Sequence, residues 1–270
     1  MSLADVSRLL PSERQQRIKR LALEQGVLRI VELAEKFRVS EMTIRRDLEL
    51  LEEAGHVERT FGGAMLTEQA AFESSYSVRL HTHTAAKEAI ASHAATLIQD
   101  GDTIILDAST TVFDLARVLH KKSLTVVTNS LDIAQELRSS PAKVILIGGY
   151  LRQVAGSFAG PMALQALKKL HVDQAFISGK GIQIPGGLMD SDIDEVEVKR
   201  TMLESAERLN VLIDSSKFGK RALGQIVSLD NIDFLISDNQ LSHETVQALN
   251  HYSVPYYLVN VKEKKHESTS

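Results

Sequence analysis

Residues 30–63 constrain this chain more tightly than any other stretch. Two helix-length segments meet there across only three residues, Arg38-Val39-Ser40, and an alternating run follows that ends at Gly62-Gly63. Ser40 suits a helix cap, because its hydroxyl can accept one of the backbone N–H groups left unpaired in the first turn. The helix it opens is expected to reach about Ala54 and to close at Gly55, the residue type that takes the left-handed cap conformation most easily. Ile44, Leu48 and Leu51 recur at i, i+4 and i+7, so one stripe of that helix faces a core. Glu41, Thr43, Arg45 and Arg46 lie off the stripe near its start. Beyond Gly55, residues 56–61 alternate as a strand does, Gly62-Gly63 supplies a turn, and 64–66 return as a second strand. Two helices across a tight turn, followed by a small hairpin, make the pattern of a winged helix-turn-helix, whose second helix meets base edges in the major groove.

Double-stranded operator DNA is therefore the expected partner. Met42, Thr43, Arg45 and Arg46, flanked by Ser40 and Glu41, would face the major groove. Arg59, Thr60, Gly62 and Gly63 would hold backbone from the wing. The plain alternative for the two arginines is a solvated helix face on which Arg45 pairs with Glu49 at i+4. The preceding residues fit a small helical domain. Residues 12–25 read as a first helix with Ser12 as N-cap, Gly26 as stop and Ile18, Leu21 and Ala22 as the buried stripe. Residues 27–29 form a short extended piece, and the helix 30–37 would bury Val31, Leu33, Ala34 and Phe37.

Bulk charge gives the DNA reading no support. The chain carries −4, and residues 1–66 hold eleven Lys/Arg against eleven Asp/Glu. A basic surface must be local, with Arg14, Arg17, Lys19, Arg20, Arg45, Arg46 and Arg59 on one face and Glu49, Glu52 and Glu53 pointing elsewhere. Such a domain binds DNA modestly alone and relies on a dimer with two half-sites.

A length of 270 residues leaves room for more. Residues 1–66 are read as the DNA-binding domain, 67–83 as a polar connector ordered in part by Phe72 and Tyr76, 84–261 as a second domain, and 262–270 as a frayed tail. The Ala-rich helical stretch 84–99 bridges the two domains and is the natural relay. From 103 onward, apolar strands (103–107, 124–128, 143–147, 173–177, 210–213, 233–236 and 255–259) alternate with helices (111–120, 131–137, 162–170, 193–208 and 243–250). That rhythm marks an open α/β sheet with buried parallel strands. The absence of cysteine excludes disulfide frameworks and thiolate metal sites. The N-terminus lacks the apolar core of a signal peptide and no run of ~18 apolar residues occurs, so a cytoplasmic protein without a membrane span is expected.

In open α/β sheets ligands bind beyond the carboxyl ends of the strands. Those ends carry Asp107-Ala108-Ser109-Thr110-Thr111, Thr128-Asn129-Ser130, Gly148-Gly149 and Asp214-Ser215-Ser216-Lys217-Phe218-Gly219. Hydroxyls, helix-start N–H groups, bare glycine backbone and the single Lys217 suit a phosphate-bearing polyol. Any one of them alone would be an ordinary helix cap. Glu195 and Lys199 lie i, i+4 on one helix face and follow the Gly186-Gly187 loop; they form either a surface ion pair or part of the cleft. A nucleotide is disfavoured, because no phosphate-loop motif occurs and Gly179-Lys180-Gly181 lacks the third glycine of a dinucleotide fingerprint. His81 and His83 have a spacing that can touch a metal, but two histidines in a polar connector read as solvated.

These pieces resemble the DeoR family of bacterial transcription regulators along nearly the whole chain. The matching segments are 40–48, 59–63, 107–111, 128–130, Gly148-Gly149, Gly187-Leu188, Lys199-Arg200 and 214–219. The resemblance implies an N-terminal winged helix bound to an operator. It also implies a C-terminal sensor similar to ribose-5-phosphate isomerases, taking a phosphorylated sugar or derivative. One departure stands out: Ala108 occupies a position where many members have Gly, and its methyl narrows the backbone approach to a phosphate.

The expected function is a sequence-specific DNA-binding regulator, a repressor of carbohydrate uptake and catabolism genes, controlled by a phosphorylated sugar. It would work as a homodimer or homotetramer with no cofactor, no metal and no catalytic residue. The alternative is a sugar-phosphate isomerase-like enzyme with an appended DNA-binding domain, whose general base would be Asp107, Glu195 or Asp190. A third reading, a winged-helix scaffold for protein partners, predicts no sequence-selective DNA affinity.

Overall fold

A computed structural model describes residues 10–25, 27–54, 56–66, 76 and 78–261. The expected glycine stops at Gly26 and Gly55, Phe72 of the connector and the 262–270 tail lie outside the described residues. The chain divides into two compact units, residues 1–79 and 80–270.

The first unit runs α1 (Pro11–Gln25), β1 (Val27–Arg29), α2 (Ile30–Phe37), α3 (Glu41–Glu53), β2 (Val57–Thr60) and β3 (Gly63–Leu66). Helix α1 starts one residue before Ser12, at Pro11, whose missing N–H costs nothing in a first turn. Glu13 does the capping instead, its carboxylate accepting the Leu10 N–H at 3.1 Å. At the next junction Arg38 takes the left-handed conformation (φ 53°) and Ser40 Oγ accepts the Thr43 N–H at 3.2 Å. Ile44, Leu48 and Leu51 are buried as their spacing requires, in one core with Ile18, Leu33 and Phe37. Val31 is exposed and Ile30 takes its place inside. The extended piece β1 turns out to be a third strand of the wing, giving the order β1-β3-β2. The turn is Phe61-Gly62 rather than Gly62-Gly63, with Gly62 at φ 86°. Gly63 already belongs to β3, where a Cβ would stand 2.0 Å from the Leu28 carbonyl oxygen.

The second unit is built on a seven-stranded parallel sheet in the order β15-β14-β12-β9-β4-β5-β6. The strands are β4 (Thr103–Leu106), β5 (Thr125–Thr128), β6 (Lys143–Leu146), β9 (Val172–Ile177), β12 (Ala206–Leu212), β14 (Phe234–Asp238) and β15 (Tyr256–Val259). Both faces are covered, which is why the strands read as continuous apolar runs. Ile104, Leu106 and Val126 pack with α4 (Thr84–Ala94) and α5 (Thr110–Val118); Ile105 and Val127 pack with α7 (Pro161–Leu167) and α8 (Ile193–Glu204). Helices α6 (Leu131–Glu136) and α9 (His243–His251) complete the set. The chain lays β5 and β6 on one side of β4, then returns to lay β9, β12, β14 and β15 on the other. The order reverses between β4 and β9, and the crevice beyond their carboxyl ends is where such sheets bind ligands.

Three features depart from expectation. Helix α8 ends at Glu204, and 206–208, read as helix, open strand β12, pairing with β9 from Ala206↔Val172. A hairpin, β7 (Tyr150–Arg152) with β8 (Ser157–Ala159), follows Gly149, whose Cβ would come within 2.3 Å of the Ala159 carbonyl oxygen. A small antiparallel sheet, β10 (Gly181–Gln183), β11 (Gly187–Asp190) and β13 (Gly224–Val227), stands apart from the main one. No helix among the described residues is long and apolar enough to cross a membrane.

Candidate functional site

On the first unit, the start of α3 presents Glu41, Met42 and Arg46 to solvent, with Thr43 and Arg45 half-buried. Arg45 pairs backward with Glu41 at 3.5 Å, not with Glu49. Arg46 makes no ion pair among the described residues. Two of the seven cations expected on one basic face, Arg14 and Arg59, are engaged by carboxylates instead. Arg14 is buried, its guanidinium donating to both Asp47 carboxylate oxygens (2.6 and 3.2 Å), so it holds α1 to α3. Arg59 donates to Glu49 at 3.0 Å, and its N–H is held by Glu52 at 3.0 Å; both glutamates, expected to point away, clasp the wing. Thr60 is exposed beside it. Phe61 at the wing tip is fully exposed, a feature that strand periodicity could not mark.

On the second unit, Asp107 ends β4 with its carboxylate buried in the crevice. Oδ1 accepts the Ser109 N–H (3.0 Å) and hydroxyl (2.6 Å); Oδ2 accepts the Ser178 N–H from β9's end at 3.0 Å. Lys199 of α8 lies 3.2 Å from the same oxygen and donates to Asp190 and to the Ser178 carbonyl, each at 2.8 Å. Lys199 and Glu195 are both buried and do not pair with each other; Arg152 of the hairpin donates to Glu195 at 2.6 Å and to Asp192. Ser157 donates to Glu195 as well. Burial by itself would lower the Lys199 ammonium, but Asp190 and Asp107 outweigh it and raise it. Burial would raise Asp190, yet Lys199 beside it holds the carboxyl below its usual range. A carboxylate held down in this way is a poor proton acceptor near neutrality. Asp107 accepts from Ser109 and Ser178, and Glu195 from Arg152 and Ser157.

Ser109 caps α5, and the N–H groups of Thr110 and Thr111 open that helix without an acceptor among the described residues. Three hydroxyl- or amide-bearing groups, expected as ligand contacts, have structural work. Thr128 Oγ1 accepts the Ser130 N–H at 3.0 Å, Ser130 caps α6, and the Asn129 amide donates to the Phe158 carbonyl at 3.0 Å. Asn129 Oδ1 remains buried without a partner. Gly148 has open space where a Cβ would sit, and the Ala108 methyl is buried. Lys217 sits in the turn after β12, and its loop is bound to β10 through Gly219 N–H to Ile182 O at 2.9 Å. The sequence reading missed Arg152, Ser157, Ser178 and Asp192, which lie in short strands and turns without periodicity.

A family model described as a DeoR-like helix-turn-helix domain matches residues 14–70, and one described as the DeoR C terminal sensor domain matches residues 82–239. The chain is 40% identical over 89% of its length to an uncharacterized HTH-type transcriptional regulator, YulB, of Bacillus subtilis (strain 168), covering 94% of that protein. It is 35% identical over 89% of its length to the lactose phosphotransferase system repressor of Streptococcus mutans, covering 97% of it. Among solved structures, ribose 5-phosphate isomerase A from Methanocaldococcus jannaschii is similar with a TM-score of 0.38 and 18% identity, over 50% of this chain and 54% of that one. With both domain models matched in order and relatives aligned over most of its length, the chain belongs to the DeoR family of transcription regulators.

Proposed function

We propose that the protein represses genes of carbohydrate use, that α3 reads its operator, and that a phosphorylated sugar bound in the crevice controls it without a cofactor and without turnover. The observation that carries the sensor half is the Asp107–Ser109 turn at the switch point of the parallel sheet. It leaves the first N–H groups of α5 open toward the place where anions are favoured. The lactose phosphotransferase system repressor among the relatives supports the sugar assignment. Two contacts within the second unit support a link from α5 toward its first residues. Asp114 of α5 lies 4.0 Å from buried Lys87, and Lys87 donates to the carbonyl of Leu80, where that unit begins, at 2.9 Å. Ligand binding must favour one of two arrangements for this link to matter. A homodimer or homotetramer in the cytoplasm, reading two half-sites, completes the proposal.

A thermal-shift screen of phosphorylated sugars tests it. A ligand at 100 times its Kd stabilises by about 2.7 kcal/mol. No shift with any phosphorylated pentose or hexose would remove the sensor assignment.

A further inference from the structure

We propose that the wing engages DNA with an apolar wedge, and that Phe61 is that wedge. The inference rests on the reading of α3 as the operator-reading helix and adds a second contact to it. Two independent observations meet at the tip. Arg59, one rung behind the tip, is turned back onto α3 by Glu49, and Glu52 holds its backbone N–H, while Arg29 of β1, level with Gly63, lies 3.9 Å from Glu32. The side chain on the turn itself is an aromatic ring, fully exposed, and its next residue, Gly62, sits at φ 86° with open space where a Cβ would be. Gly63 behind it is committed to the close approach to Leu28. The turn therefore presents one large apolar group on a two-residue stalk.

Minor-groove proteins use such groups, Phe and Leu among them, to part a base step. The cost is lowest at pyrimidine–purine steps, which unstack most easily. A wedge also suits a unit whose charges balance, because apolar contact does not need a basic surface. It would read deformability beside the bases that α3 reads directly.

The test uses the full-length protein and an operator selected by it from a random duplex library. Anisotropy gives affinity, and 2-aminopurine placed at flexible steps flanking the α3 site reports unstacking. Phe61→Ala should weaken operator binding about tenfold, the scale of one lost aromatic–base contact, at every salt concentration tried. It should also abolish the 2-aminopurine signal. Phe61→Leu should keep most of both. Because the ring is fully exposed, Phe61→Ala should melt with the wild type. Wild-type affinity and unstacking by Phe61→Ala would overturn the proposal, including the case where gene regulation alone is lost and the ring serves a protein partner. If the wild type selects no operator, the DNA reading fails and the wedge with it. If Arg46→Ala loses the operator while Phe61→Ala does not, the wedge alone fails.

Discussion

Replacing Lys199 by methionine keeps the length of the side chain and removes the charge on which the crevice depends. The ammonium is buried among Asp190 and the Ser178 carbonyl at 2.8 Å and Asp107 at 3.2 Å. Without it two buried carboxylates lose the cation that lies against both, and breaking a buried pair of this kind costs about 3–5 kcal/mol. For a unit of this size each kcal/mol moves the melting temperature by about 2–4 °C, so the second unit should melt about 6–20 °C lower at pH 7. The pH dependence follows from the directions of the shifts. In the wild type the Asp190 carboxyl is held down, so its contribution is present above an unfolded pKa of about 3.9 and fades as pH falls through the lower folded value. The raised Lys199 ammonium contributes below its unfolded pKa of about 10.4 and loses that contribution only as pH rises through the folded value. In the variant, burial raises the abandoned Asp190 carboxyl, so the penalty is largest near neutrality and shrinks on acidification. Calorimetry at pH 7 and pH 5 reads both effects, and no tryptophan is needed. Equal melting at pH 7, or a deficit that grows toward pH 5, would refute the reasoning.

Other consequences are more local. Arg46→Ala should weaken operator binding by ~1–3 kcal/mol if the guanidinium reads a base, measured by gel-shift titration. Arg14→Met should instead destabilise the first unit by about 3–5 kcal/mol, since it leaves the buried Asp47 carboxylate without its cation and with only the Gln15 amide at 3.0 Å, and urea unfolding followed by circular dichroism checks this. Lys217→Ala should leave operator affinity unchanged and blunt release by the phosphorylated sugar; response at the wild-type ligand concentration would remove Lys217 from the pocket.

The helix-turn-helix was legible because its signals are local. Ser40 caps, Ile44, Leu48 and Leu51 line up, and both outcomes depend only on spacing. Charge was less legible, because the fate of an arginine depends on residues far along the chain. Arg14 met Asp47 and Arg59 met Glu49, contacts no window of sequence contains. The strand-end motifs had two meanings at once. Asp107, Thr128, Asp214 and Asp238 each accept an N–H two residues on, a turn device repeated at the ends of four parallel strands. Asp107 and Asp238 each also reach across with the second oxygen, to the Ser178 and Ser215 N–H groups, and what sets the Asp107 end apart is Lys199 of α8 at 3.2 Å. The short antiparallel pieces escaped notice, since strands of three or four residues rich in glycine carry too little pattern to separate from loops.

The most direct test of the account is the affinity of the full-length protein for its selected operator while sugars are added, each phosphorylated one beside its unphosphorylated parent. The account predicts that at least one phosphorylated sugar shifts operator affinity by about 5–150-fold, a coupling of roughly 1–3 kcal/mol, and that its parent does not. Operator affinity that no phosphorylated sugar changes, or that parent and phosphate change equally, would contradict it.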